Sequence, residues 1–171
     1  MLAINTQKRK EDNNNKKKRI LVIDDELDIL LVLQLVLEQA GFKVSSFENA
    51  LTALSNFKIG LYDLAILDVK MPQMNGFQLY VKIREIDRSV KVCFITAAAI
   101  EEAYYYDGQF TEKKERGERK EENGGQIAGG AQLQCQQKQQ QYYHEFNKAT
   151  FLRKPVSNGD LIREVDRILT S

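Results

Sequence analysis

The feature that most limits the fold of this chain is an alternation of short apolar runs with segments of helical periodicity. Residues 20–23 form a β-branched run bounded by charge, as in strands that are buried on both faces. Apolar residues then recur every three or four positions from Leu27 to Val36, and Gly41 follows where such a helix would end. The start of this pattern therefore predicts a strand followed by a helix.

The same alternation continues along most of the chain. The predicted strands are 20–23, 43–47, 62–67, 90–95 and 149–152. The predicted helices lie near 27–36, 50–57, 77–83, 98–106 and 161–169. Alternating strands and helices with short connections predict a parallel sheet that is covered by helices on both faces, which is an α/β fold.

Two segments lack this pattern. Residues 1–18 contain four apolar residues and carry a net charge of +4, and residues 111–146 contain eight apolar residues and a glutamine-rich run. Such segments bury too little apolar surface to offset the entropy lost on ordering. We expect a disordered basic tail at 1–18 and one domain at 19–171, interrupted by a low-complexity insertion at about 111–146. The tail is expected to aid solubility, and contact with nucleic acid or an anionic surface is the alternative.

Composition excludes several classes of protein. A formal net charge of +1 argues against a chain devoted to binding nucleic acid. No apolar run approaches the length of a membrane span, and the amino terminus lacks the apolar centre of a secretory signal. Two cysteines and one histidine are too few for a disulfide framework or a zinc site. We therefore expect a cytoplasmic protein.

Polar side chains stand at the ends of four predicted strands. Asp24 and Asp25 follow the first strand, Asp68 follows the third, Thr96 ends the fourth and Lys154 ends the fifth. The carboxyl ends of parallel strands share one edge, where polar groups meet. Converging carboxylates resist ionisation unless a cation neutralises them, and Mg²⁺ prefers such ligands. The pattern predicts an acceptor carboxylate, a metal ion and phosphoryl-stabilising donors, the parts of a phosphoryl-transfer site.

Each of these residues also has an ordinary structural explanation. Asp24 and Asp25 would favour the start of a helix through its dipole, without binding any ligand. Asp68 would begin a turn before Pro72, and Lys154 would simply end a strand before proline. Only their joint position at strand ends favours the functional interpretation.

Four motifs together resemble the receiver domain of two-component response regulators. They are Asp24-Asp25-Glu26, the segment 67–76 around Asp68, Ile95-Thr96-Ala97 and Lys154-Pro155. The resemblance covers about 117 residues, 19–110 and 147–171, with the motifs in the family's order. It implies a flavodoxin-like, doubly wound sheet of five parallel strands in the order 2-1-3-4-5. It also implies a stand-alone signalling phosphoprotein and not an enzyme with a separate substrate.

The resemblance also implies a role for each motif residue. Asp68 would accept a phosphoryl group from a histidine kinase or a phosphotransfer protein, and Thr96, Ala97 and Lys154 would surround that group. Thr96 and Phe151 would form a conformational switch, although Phe151 also fits a plain core aromatic. The groups implied for Mg²⁺ are Asp24, Asp25, Asp68 and the backbone carbonyl of Lys70.

The chain departs from the family between Thr96 and Lys154, which are 58 positions apart. The excess falls on the usual output face, so we expect a flexible insertion that adapts the domain to its own protein target. No helix-turn-helix segment is expected after the last helix, so output would use protein–protein contacts. A phosphorylation-independent scaffold with the receiver fold remains the alternative. An aspartate-nucleophile phosphatase is disfavoured, because Asp24-Asp25-Glu26-Leu27 lacks the second spaced aspartate and the threonine.

Overall fold

The computed structural model describes residues 17–97 and 149–171, and its centre is a parallel sheet of five strands. The strands are β1 (Arg19–Ile23), β2 (Lys43–Phe47), β3 (Leu64–Asp68), β4 (Lys91–Thr96) and β5 (Thr150–Arg153). The helices are α1 (Leu27–Gln39), α2 (Ala50–Asn56), α3 (Gly76–Ile86) and α4 (Asn158–Thr170). The strand order β2-β1-β3-β4-β5 confirms the predicted doubly wound, flavodoxin-like sheet. Three predicted features lie wholly or largely outside the described residues, namely the tail 1–18, of which only 17 and 18 are described, the helix 98–106 and the insertion 111–146.

The third strand begins two residues later than its apolar run predicts. Asp63 accepts hydrogen bonds through its side chain from the Arg19 backbone N–H and from Lys18 Nζ, each at 2.9 Å. That carboxylate takes the Arg19 N–H that would otherwise extend the ladder between β1 and β3. Tyr62 is buried against the ring of Phe57, with a centroid distance of 5.8 Å. Its apolar character therefore reflects packing in a loop and not a place in the strand.

Two apolar layers cover the faces of the sheet. One layer contains α1 and α4, whose buried residues include Leu30, Leu33, Leu37, Leu161, Val165 and Ile168. The other contains α2 and α3, whose buried residues include Ala50, Ala53, Phe77, Leu79, Tyr80 and Ile83. The middle strands are apolar on both faces because both faces are covered, which explains their unbroken apolar runs. Among residues 17–97 and 149–171, no helix combines the length and apolar character that crossing a membrane requires.

A buried carboxylate fixes the loops at the edge of the sheet where the strands begin. Asp87 follows α3 and accepts hydrogen bonds from the Gly60 backbone N–H at 2.8 Å and from the Ser89 hydroxyl at 2.6 Å. Two hydrogen bonds hold the pKa of Asp87 below its usual value, and the one from the Ser89 side chain has a larger effect than the one from the Gly60 backbone. Asp87 is therefore a buried carboxylate with a structural role, at the opposite edge of the sheet from Asp24 and Asp68.

Candidate functional site

The candidate site lies where β1, β3, β4 and β5 end. Asp24 follows β1, Asp68 is the last residue of β3, Thr96 is the last residue of β4, and Lys154 follows β5. The Lys154 backbone N–H donates to the Thr96 carbonyl at 2.8 Å, which joins two of these strand ends. Because the strands are parallel, their ends meet at one edge, and residues as far apart in sequence as Asp24 and Lys154 become neighbours. The structure thus brings the predicted residues together.

Lys154 is the cation of this site. Its Nζ lies 2.7 Å from Asp24 Oδ2, 2.9 Å from Asp68 Oδ1 and 3.0 Å from Glu26 Oε1. The Lys154 side chain is only 9% exposed, and Asp24 and Asp68 are buried, whereas Glu26 is largely exposed. One ammonium group therefore serves three carboxylates, and two of those are removed from water.

Asp25 adds a further carboxylate and forms an acidic cluster with Asp24 and Asp68. One carboxylate oxygen from each of Asp24, Asp25 and Asp68 lies within 4.8 Å of the others. With Glu26, the site holds four carboxylates, three of which pair with Lys154, so among the described residues it carries an excess of negative charge. Asp24 Oδ2 is a buried oxygen whose partner is the Lys154 ammonium group, 2.7 Å away. An all-oxygen donor set with excess negative charge fits Mg²⁺, which would be held by these aspartates.

Burial and neighbouring charges shift the pKa values of Asp68 and Lys154 for different reasons. Burial raises the pKa of Asp68 to about 6, and the nearby Asp24 adds to that rise. Lys154 and a hydrogen bond from the Lys70 backbone oppose it. Burial by itself would lower the pKa of Lys154, but its contacts with Asp24, Asp68 and Glu26 outweigh that effect and raise it. The lysine therefore stays charged at any physiological pH.

A glycine allows α3 to begin against the backbone of Asp68. A Cβ atom at Gly76 would lie 2.2 Å from the Asp68 carbonyl oxygen, and the Gly76 N–H donates to the Val69 carbonyl at 3.1 Å. The helix is capped by Asn75 and Gln78, each of which bonds the other's backbone N–H through its side chain. The Asn75-Gly76 pair thus holds the loop that follows Asp68 in place.

The remaining predicted residues lie around this cluster. Thr96 is buried at the end of β4, Ala97 is exposed just beyond it, and Lys70 lies in the loop after β3. Phe151 on β5 is half-buried and stacks on Phe94, with ring centroids 5.1 Å apart. Its contacts are those of a core aromatic, and the proposed switch remains a prediction.

Glu26 is a site residue to which the sequence motifs assign no role. It lies in the motif Asp24-Asp25-Glu26, but its contact with Lys154 depends on a residue far along the chain. The one available signal was its position directly after the aspartate pair and before α1, where a carboxylate would reach the same edge.

Comparisons with known proteins agree with this geometry. The family model described as the response regulator receiver domain matches residues 20–106, which is just over half of the chain. The response regulator receiver protein CpdR of Brucella abortus is 37% identical over 76 residues, which cover 44% of this chain and 63% of that protein. The C4-dicarboxylate transport regulator DctD of Rhizobium meliloti is 37% identical over 73 residues, 43% of this chain and 16% of that protein. The chain thus matches less than two thirds of the length of these relatives.

Solved structures share the same fold. A CheY-like receiver domain protein from Methanospirillum hungatei superposes with a TM-score of 0.61 at 22% identity, covering 90% of this chain and 94% of that one. The non-phosphorylated HemR receiver domain from Leptospira biflexa gives a TM-score of 0.61 at 21% identity, covering 91% and 96%. At such identities the likeness concerns the fold alone.

The family match ends before the second half of the site. Lys154, β5 and α4 all lie beyond residue 106, and it is the structure that places Lys154 against Asp24 and Asp68. The matched part contains β1, β3 and β4 with their terminal Asp24, Asp25, Asp68 and Thr96. From the family match, the sheet order and the site at its edge together, we conclude that this chain belongs to the response regulator receiver domain family of two-component systems.

Proposed function

We propose that this protein is a phosphoryl-accepting response regulator and that Asp68 is the residue phosphorylated. The observation that carries the proposal is the position of Asp68. It is a buried carboxylate at the end of the central strand β3, 2.9 Å from the ammonium group of Lys154 and within 4.8 Å of two further aspartates. The donor would be the phosphohistidine of a histidine kinase or of a phosphotransfer protein.

The chemical step is a transfer between two nucleophiles. A carboxylate oxygen of Asp68 attacks phosphorus, an O–P bond forms, and the P–N bond to the donor imidazole breaks. The imidazole nitrogen takes a proton from solvent as it leaves. Asp68 must be ionised to attack, and Lys154 favours the ionised form by supplying positive charge against the effect of burial.

The other site residues would bind and orient the phosphoryl group. Asp24, Asp25, Asp68 and the Lys70 carbonyl would hold Mg²⁺, which when bound supplies positive charge beside the phosphoryl oxygens. Thr96, at the end of β4, and Lys154 would donate to the new oxygens, while the small Ala97 leaves room for them. For Lys154 this requires the ammonium group to leave at least one of its present carboxylate partners.

The signal would leave through protein–protein contacts. Phosphorylation adds a charge of roughly −1.5 to −2 at Asp68 and draws Thr96 toward it, and Phe151 would follow into the vacated space. We further propose that the domain comprises 19–171, with an insertion at 111–146 between β4 and β5 that shapes the contact surface for the downstream target. A receiver of this kind promotes its own phosphorylation and is a signalling module, not an enzyme with a separate substrate.

Intact-mass spectrometry tests the acceptor. The protein is incubated with a small phosphodonor such as acetyl phosphate, with Mg²⁺ or with a chelator in its place. We expect a gain of one phosphoryl group with Mg²⁺, and little or none with the chelator.

Two variants make this test specific. Asp68→Asn removes the proposed acceptor, and Asp63→Asn makes the same change just before β3, at the opposite end of the strand. The gain should disappear in the first variant and persist in the second. No gain in the wild-type protein would favour a phosphorylation-independent scaffold, and an equal gain in Asp68→Asn would place the acceptor elsewhere.

A further inference from the structure

The outer face of α1 carries an apolar stripe that no described residue covers. Leu27, Leu31 and Leu35 are spaced four apart, and each is more than half exposed, as is the neighbouring Val32. Residues four apart lie on one face of a helix, so these side chains form a continuous surface about 12 Å long. We call these four residues the α1 stripe. Four adjacent exposed large apolar side chains on one helix indicate a contact surface.

The surroundings of the α1 stripe are acidic. From Asp25 to Phe42 the sequence contains four carboxylates, all exposed, and neither lysine nor arginine, and of these four Glu26 pairs with Lys154. Asp28 and Glu38 lie on the exposed side of α1 itself. A second copy of the chain would bring like charges together, which disfavours a symmetric pairing through this face. An occupant that is apolar and basic would complement it.

The amino-terminal segment of this chain has that composition. Met1, Leu2, Ala3 and Ile4 are its apolar residues, and Lys8, Arg9 and Lys10 follow as a basic run. We propose that this segment, residues 1–10, covers the α1 stripe of its own chain, with its apolar residues on the leucines and its basic run beside the acidic rim.

The path of the chain makes this contact feasible. The Lys18 carbonyl accepts from the Lys43 N–H at 2.9 Å, so the chain enters β1 beside the residue that lies four positions after the end of α1. Twelve residues separate Ile4 from Lys17, and twelve extended residues span up to about 40 Å. That length exceeds the stripe severalfold. A tether of this kind also gives an effective concentration on the order of millimolar, so a weak contact suffices.

This contact gives residues 1–10 a function beyond solubility. A segment held on the α1 stripe competes with any protein that docks on the same face beside Asp24 and Asp25. The proposal does not depend on phosphorylation, and its test needs no phosphodonor.

A nitroxide label on residue 3 tests the contact in the full chain. Ala3→Cys is labelled in a Cys135→Ser background, since the remaining Cys93 is buried and burial raises the pKa of its thiol to about 12. Methyl signals are then compared before and after reduction of the label. We expect the signals of Leu27, Leu31 and Leu35 to lose most of their intensity. Ile59 and Ile86 are exposed on the opposite face of the sheet and should keep theirs.

Further samples decide what covers the stripe. Adding Leu2→Ser and Ile4→Ser to the labelled chain should restore the α1 signals. Raising the ionic strength from about 0.1 M to about 1 M, where the Debye length falls from ~10 to ~3 Å, should restore them in part. Equal broadening at Ile59 and Ile86, or none at the α1 stripe, would overturn the proposal. So would broadening between a labelled and a separately isotope-labelled molecule, because the occupant would then be a second copy.

Discussion

Replacing Lys154 tests whether the acidic cluster depends on one cation. In the Lys154→Met variant the side chain keeps much of its length and loses its charge. Asp24 and Asp68 then remain buried and lose the ammonium group that now lies 2.7 and 2.9 Å from their oxygens. At an effective dielectric constant near 20, an ion pair at 2.7–2.9 Å is worth about 6 kcal/mol before desolvation is counted.

The net effect is smaller, because the lysine was itself removed from water. Breaking a buried ion pair by removing one partner costs about 3–5 kcal/mol. We therefore expect Lys154→Met to lower the free energy of unfolding by about 3–5 kcal/mol when a chelator is present. Lys82→Met is the matched control, since Lys82 is half exposed and pairs with Glu85 at 3.3 Å on the surface. The control should change the free energy of unfolding by less than about 1 kcal/mol.

Adding Mg²⁺ separates this explanation from a simple packing defect. A divalent cation held by Asp24, Asp25 and Asp68 would replace the lost charge, and in the wild-type protein it must compete with Lys154 for the same oxygens. Mg²⁺ should therefore bind the variant more tightly and recover much of its stability, by about 2.7 kcal/mol at a hundredfold excess over Kd.

Urea unfolding with chelator and with Mg²⁺ measures both effects. Equal stability of Lys154→Met and the wild-type protein in chelator would show that Lys154 does not hold the cluster together. Equal stabilisation of the two proteins by Mg²⁺ would show that Lys154 does not compete with the ion.

Three further predictions concern other parts of the structure. Gly76→Ala would place a methyl group 2.2 Å from the Asp68 carbonyl oxygen, and urea titration should show a loss of about 1–3 kcal/mol together with slower phosphoryl acceptance. Gly159→Ala, with nothing within 4 Å, should show neither, and a similar loss there would refute the steric reasoning. Asp87→Asn should lower the free energy of unfolding, measured by urea titration, by about 1–3 kcal/mol at pH 7. Hydrogen bonds, chiefly the one from Ser89, lower the folded-state pKa of Asp87. The loss of stability should therefore be complete above about pH 4 and vanish as the pH falls through this lowered pKa. An equal cost at pH 7 and pH 2 would contradict that assignment. Finally, chelating Mg²⁺ should abolish acceptance from acetyl phosphate without unfolding the protein, as circular dichroism would show; acceptance that persists in the chelator would refute the metal requirement.

Much of the fold could be predicted because both faces of the sheet are covered. The buried inner positions of parallel strands such as β1 and β4 are apolar on both faces, as at 20–23 and 92–95, and this separates them clearly from the helical spacing of α1. The start of β3 was misplaced because Tyr62 is apolar for a different reason, its packing against Phe57 in a loop.

The site residues that could be predicted from the sequence are those that stand at the ends of strands. Asp24, Asp68, Thr96 and Lys154 each stand where a strand stops, and parallel strands place those ends together. The contact of Glu26 with Lys154 could not be predicted in the same way, since it depends on where two side chains point across the edge.

The close approach of α3 to the backbone of Asp68 could not be predicted from the sequence either. Gly76 appeared there only as part of a motif, although its lack of a side chain is what the backbone geometry requires.

The identity of the phosphorylated residue is the central claim, and reductive trapping tests it most directly. The protein is phosphorylated with acetyl phosphate and Mg²⁺ and then treated with borohydride, which reduces an aspartyl phosphate to homoserine. Peptide mass spectrometry then locates the homoserine in the chain. Our account predicts homoserine at position 68, dependent on the phosphodonor. Homoserine at Asp24 or Asp25 instead, or none at any aspartate of a protein that has gained a phosphoryl group, would contradict it.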